Sequence, residues 1–126
     1  MQTALEHALH TWLSRITEAE KPAKDVIAYN IGLIETDRGY SAYLMGATKF
    51  DPKDSDWACG EAFAPTERYL ELPSAKFNLG NWESDHSQIA RALRECLAQD
   101  NIKSSFLGKA KAITVGFDDG DLEQVL

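Results

Sequence analysis

The stretch VIAYNIGLIETDRGYSAYLMGATK, Val26 to Lys49, decides the fold. In its first arm, Val26–Glu35, the residues Ile27, Tyr29, Ile31 and Leu33 alternate with smaller or polar ones. In its second arm, Gly39–Lys49, the residues Tyr40, Ala42 and Leu44 stand against Tyr43 and Met45. A two-residue period puts alternate side chains on opposite faces of a strand. Between the arms, Thr36-Asp37-Arg38-Gly39 reads as a turn with glycine at its end. The two arms are therefore expected to form an antiparallel β-hairpin.

An apolar hairpin face needs cover, and residues 3–20 supply it. Leu5, Leu9, Trp12, Leu13 and Ile16 recur at three- and four-residue spacing, which makes one stripe along a helix. Thr3 and Glu6 stand at capping-box spacing, and Pro22 ends the helix. A second helix is expected from about Asp85 to Gln99, with Ile89, Leu93, Cys96 and Leu97 on one face and Ser84 or Asp85 as its cap.

The remaining segments are shorter. Phe50–Thr66, with Pro52, Gly60 and Pro65, is a long irregular loop of the kind that often carries function. Arg68–Leu72 is a short strand stopped by Pro73, and residues 74–82 connect it to the second helix. Ser104–Lys109 reads as a helical turn ending near Gly108, and Ala112–Phe117 (AITVGF) as the last strand. Without repeats, low-complexity tracts or linkers, residues 1–126 form a single domain. The order α-β-β-β-α-β predicts an α+β fold: a mainly antiparallel sheet of about four strands, with two main helices packed on it.

The charge is unevenly spread. Asp51, Asp54, Asp56 and Glu61, with one base at Lys53, carry −3. Asp118, Asp119, Asp121 and Glu123 carry −4, and together the two segments account for the whole net charge of −7. Acid concentrated in this way keeps a local potential that scattered acid loses to neighbouring bases. Phe50, Trp57 and Phe63 flank the first segment and Phe117 precedes the second. The combination suggests a docking surface for a basic protein partner. A pI near 4.9 argues against binding nucleic acid or an anionic membrane, both of which select basic stripes.

The hydrophobic fraction of 44% fits a packed globule rather than a disordered chain. Cys59 and Cys96 match no zinc or redox spacing and suit a reducing cytosol, although their spacing leaves a disulfide between them open. The first helix carries Glu6, unlike a signal peptide, and no apolar run approaches the ~18 residues of a membrane span. A cytoplasmic protein is expected.

Chemical motifs are sparse. Read as a calcium loop from Asp51, the third position is Lys53; read from Asp54, the sixth is Cys59 where glycine is needed. No metal or other cofactor is expected. His7 and His10 make at most half a zinc site. Asp56 and Glu61 surround Cys59 with negative charge, which disfavours its thiolate. Ser104 and Ser105 lack a nucleophile-elbow context, and no phosphate loop or dinucleotide fingerprint occurs. No catalytic residue is assigned. Trp57 and Trp82 fall in irregular segments, where tryptophan serves either as an interface anchor or as a plug fixing a loop to the core. Trp57, among carboxylates, is the stronger candidate anchor.

Several runs are similar to small bacterial immunity proteins of contact-dependent inhibition and related polymorphic toxin systems. They are Gly39-Tyr40 through Leu44, Phe50-Asp51-Pro52, Asp56-Trp57-Ala58-Cys59, Glu67-Arg68-Tyr69-Leu70 and Gly116-Phe117-Asp118-Asp119-Gly120-Asp121. The resemblance implies binding to a cognate toxin domain, often a basic nuclease, whose active site is masked. The partner-binding residues are then expected to be Asp51, Asp54, Asp56, Trp57, Glu61, Phe63, Asp118, Asp119, Asp121 and Glu123. Two other readings remain: a small enzyme with a carboxylate site, or an acidic structural or regulatory subunit. If the strands before the two acidic segments run parallel, residues 51–61 and 118–123 share one end of the domain and one exposed face.

Overall fold

The computed structural model describes residues 2–117 and 120–126. Helix α1 spans Ala4–Ala19, and Thr3 caps it by accepting the Glu6 N–H at 3.1 Å. Strands β1 (Ala28–Thr36) and β2 (Gly39–Ala47) form the expected hairpin, registered from Ala28 opposite Ala47 to Thr36 opposite Gly39. A 3₁₀ turn at Ser55–Cys59 interrupts the long loop. Strand β3 (Tyr69–Pro73), the one-turn helix α2 (Ser74–Phe77) and helix α3 (Trp82–Leu97) follow. A one-turn helix α4 (Asp100–Lys103) leads to β4 (Ala112–Phe117) and a short β5 (Glu123–Gln124).

The fold is α+β, but the sheet is mixed and has five strands in the order β3-β2-β1-β4-β5. The central pair β1–β4 is parallel and the other three pairs are antiparallel. This corrects the expected, mainly antiparallel sheet of about four strands. The reason is visible in β4: its first five residues are all buried, as a strand covered on both faces requires. It therefore inserts in the middle, beside β1, and leaves an edge for the tail to pair with as β5. Pro73 closes β3 on the opposite edge, where a missing N–H is tolerated.

One face of the sheet carries the main core. Tyr29, Ile31 and Leu33 of β1, Tyr40, Ala42 and Leu44 of β2, and Ile113 and Val115 of β4 meet the apolar stripes of α1 and α3. Ile27, expected on this face, precedes β1 and packs in the smaller cluster on the other face. The Trp12 indole is buried, and its N–H donates to the Glu67 carbonyl at 3.0 Å, tying α1 to the chain entering β3.

Helix α3 begins earlier than expected, and its cap is Asn81 rather than Ser84 or Asp85. The Asn81 side chain accepts from the N–H groups of Glu83 at 3.0 Å and Ser84 at 3.4 Å. Asp85 has turned inward and is only 2% exposed. Its carboxylate accepts the Tyr40 hydroxyl at 2.5 Å and the Gly80 N–H at 3.1 and 3.2 Å. It thus latches the head of α3 to β2. Burial first, then the bond to Asp85, push the Tyr40 hydroxyl pKa up.

A cleft on the second sheet face

The other face of the sheet is lined differently. Along β1 it presents Ala28, Asn30 and Gly32; beside them along β4 it presents Ala112, Thr114 and Gly116, in register pair by pair. Two matched rows of small or polar residues replace the Tyr, Ile and Leu of the first face. Thr114 donates its hydroxyl to Asn30 Oδ1 at 2.9 Å within the buried floor. The Tyr43 ring lies across Gly32, where an added Cβ would stand 2.1 Å from ring carbon Cζ.

This low floor is covered by the two acidic segments. In the first, Trp57 is 9% exposed and packs edge-on against Phe50 at 5.2 Å, above Ala28, Met45 and Ala47. Around it the aspartates shape the chain. Asp51 Oδ1 accepts the Lys53 N–H at 2.9 Å, and Asp54 Oδ1 accepts the Asp56 N–H at 3.0 Å, both two residues on, as in Asx turns.

The second segment returns from β4 over Gly116. A Cβ there would meet the Asp121 carbonyl at 2.6 Å, so glycine is what permits the close return. Leu122 then packs against the Trp57 cluster. Asp121 and Leu122 share one cavity wall system with Phe50, Asp51 and Trp57. A neighbouring cleft of about 600 Å³ runs between Asp56, Cys59 and Glu61 on one side and Phe117, Gly120 and Leu122 on the other, over Asn30 and Tyr43.

The acidic segments therefore do meet on one face near Trp57, but not by the expected route. Strands β2 and β4 each pair with β1, one antiparallel and one parallel, so they run opposite to each other. Strands β2 and β4 end at opposite ends of the sheet, yet Phe50, Trp57 and Leu122 gather in one cluster on its second face. Asp118 and Asp119 lie outside the described residues.

The individual side chains divide into groups. Asp51, Asp54, Asp56 and Asp121 are exposed and form no ion pair among the described residues. Glu61 is bound to Arg68 at 2.6 Å, and the Arg68 guanidinium lies over the rings of Tyr43 at 5.4 Å and Tyr69 at 5.7 Å. Glu123 points to the other side, where it pairs with Arg94 of α3 and lies 4.0 Å from His86. Phe63 also turns away: it packs on Tyr29 and Phe106 at the margin of the main core. Trp57 plugs its loop into the sheet, whereas Trp82 is 59% exposed at the start of α3, edge-on to Phe117.

Other candidates find ordinary partners. His10 shares a hydrogen bond with Asn101 at 2.9 Å, tying α1 to α4. Both cysteines are free: Cys59 is exposed and Cys96 is buried. Burial, and then the carboxylates of Glu6 and Glu95, raise the Cys96 thiol pKa to about 12. Among the described residues, no three His, Cys, Asp or Glu side chains gather as a metal ion requires. Among the same residues, no helix is long and apolar enough to cross a membrane.

Sequence reasoning missed the floor. Its signal was present in the spacing: Ala, Asn, Gly at positions 28, 30 and 32, and Ala, Thr, Gly at 112, 114 and 116. Two strands that carry small residues at the same alternate positions offer a shallow face on which other chain can lie. Compared with known protein families, curated proteins and solved structures, the chain has no significant match.

Proposed function

We propose that the protein is an inhibitory binding module, of the immunity-protein kind, which masks a basic toxin domain through its acidic second sheet face. The observation that carries this reading is the gathering of Asp51, Asp54 and Asp56 with Asp121 around three adjoining clefts, which Lys49, Lys53 and Lys111 also line. Among the described residues these carboxylates form no ion pair, which leaves their field to act on a partner. A nuclease site is positively charged because it holds phosphate. Carboxylates held on anchored turns imitate phosphates, and opposite charges can raise association rates by ~10–10³. An inhibitor that must act quickly gains from that.

The anchoring supports the same reading. Phe50, Trp57 and Leu122 fix both segments to the sheet, so little loop order remains to be lost on binding. Trp82 is exposed, but it stands at the head of α3 beside Phe117 on the helix face, outside this surface.

The test is inhibition. The basic protein that co-purifies with the chain from its native cell is assayed for toxin activity with and without added chain. Full inhibition, weakened by Asp51→Lys with Asp121→Lys mainly through slower association at low salt, supports the proposal. Unchanged toxin activity in the presence of stoichiometric chain, or inhibition indifferent to both substitutions, overturns it.

A further inference from the structure

We infer that the cleft between the 3₁₀ turn and the tail is a pocket for one glutamine side chain of the partner, whose carboxamide docks on Asn30. The inference rests on the docking reading above and specifies its chemistry.

The floor sets the guest. Asn30 is only 4% exposed, in the central strand β1, and lines the cleft. Its Oδ1 accepts the Thr114 hydroxyl at 2.9 Å, while its Nδ2 makes no hydrogen bond among the described residues. Buried amide donors are normally paired. The cleft lining holds a second donor of this kind. Arg68 Nε is buried without a partner, although the far end of the same guanidinium is bound to Glu61. Donors left over at the base of a cleft call for an acceptor, and a carbonyl oxygen has two lone pairs to offer them.

Charge narrows the acceptor. Among the described residues Arg68 is the one cation lining the cleft; Glu61 already matches it, and Asp56 stands in the same lining. Asp118 and Asp119 lie outside the described residues, and any charge they add is negative. A carboxylate guest is therefore disfavoured by charge. A lysine or arginine head has no acceptor and leaves the floor donors unpaired. A neutral carboxamide meets both conditions: its carbonyl faces Asn30, and its own N–H groups have the Asp56 carboxylate to donate to. Turning the Asn30 amide over does not change the guest, since Oδ1 is then the open atom and a carboxamide supplies the donor.

Reach selects a side chain over main chain. Asn30 presents little open surface, which the slim end of a glutamine meets more readily than a peptide unit flanked by two Cα atoms. The cleft, about 600 Å³, also has room for the main chain that carries the side chain.

The test is a titration of the isotope-labelled chain with acetyl-Gly-Gln-Gly-amide, followed by NMR. The same peptide with norleucine, glutamate or arginine in place of glutamine is the control. Saturable shifts of the Asn30 side-chain amide are expected with the glutamine peptide. Affinity should weaken about fivefold or more for each control, and for the glutamine peptide in Asp56→Ala. Asp56 is exposed and its carboxylate accepts no hydrogen bond among the described residues, so that variant keeps the fold. No saturable shift at Asn30 up to the solubility limit of the glutamine peptide overturns the pocket. So does equal or tighter binding of any control, or an unchanged affinity in Asp56→Ala. A failed titration with inhibition still dependent on Asp51 and Asp121 removes the pocket and leaves the docking surface standing. Absence of that inhibition removes both.

Discussion

On one face of the sheet, Tyr29, Ile31 and Leu33 meet two long helices; on the other, Ala28, Asn30 and Gly32 meet a loop and a tail. The strands are the same, and a shift of one residue separates the two faces. The helix face is filled by large apolar side chains, and its polar groups are few. The second face holds small and polar side chains, and its cover is irregular chain anchored at Phe50, Trp57 and Leu122. The first arrangement specifies stability. The second leaves room between the covering segments, and that room is where the carboxylates gather.

The contrast can be broken by mutation, starting with the largest effect. Trp12→Ala empties a fully buried site on the helix face and removes the bond to Glu67, so a loss of roughly 3–5 kcal/mol is expected in urea unfolding. Trp57→Ala should cost less, about 2 kcal/mol, because a loop can settle into the space more readily than two helices can. Hydrogen exchange should then speed up in residues 50–60 while α1 stays protected. Equal losses at the two tryptophans would make the second face an ordinary core.

Next in size is the buried polar pair. Thr114→Val leaves Asn30 Oδ1 without its donor and is expected to cost about 1–3 kcal/mol. Adding Asn30→Val should recover most of that loss, since two apolar partners leave nothing unsatisfied. A double-mutant cycle in urea reads the coupling. Independent, additive losses would remove the Asn30–Thr114 bond from the account.

Alkaline pH probes the helix face. Burial raises the Tyr29 hydroxyl from 10.0 to about 12, and burial with nearby carboxylates raises the Cys96 thiol from 9.0 to about 12. Below about pH 8 both groups are protonated in folded and unfolded chains, and their contribution is complete. Between those ordinary values and about 12 the unfolded chain releases protons that the folded chain retains, so stability falls as pH rises. Unfolding midpoints from pH 8 to 11 should show that fall, and Cys96→Ala should make it shallower. A thiol reagent should modify exposed Cys59 quickly and Cys96 only as fast as the chain unfolds.

The smallest expected effect on stability belongs to the acids themselves. Asp51→Asn, Asp54→Asn and Asp121→Asn together keep the oxygen acceptors of both turns. Thermal unfolding should therefore shift by the equivalent of no more than about 0.5 kcal/mol. A large loss would mean that the carboxylates are structural.

The sequence exposed the helix face more fully than the second. The hairpin was legible because its large residues alternate, and α1 because Leu5, Leu9, Trp12, Leu13 and Ile16 repeat along one side. The parallel neighbour of β1 was not legible, since AITVGF states that β4 is buried on both faces without naming its neighbours. The start of α3 was misread because Asp85 has the chemistry of a cap but is drawn inward by Tyr40 and Gly80. At the candidate site, the sharing of one face by the two acidic segments was expected on the condition that β2 and β4 run parallel, whereas they run opposite to each other. Trp57 was read as the stronger candidate anchor, yet its indole is buried and that of Trp82 is exposed, because neighbouring carboxylates say nothing about which way an indole turns.

The most direct measurement is hydrogen exchange of the chain alone and bound to the proposed basic partner. Slowed exchange in residues 50–61 and 120–124 together, with the outward faces of α1 and α3 unchanged, is the predicted result. Slowing on those helices, or on one acidic segment without the other, would contradict a single docking surface on the second face.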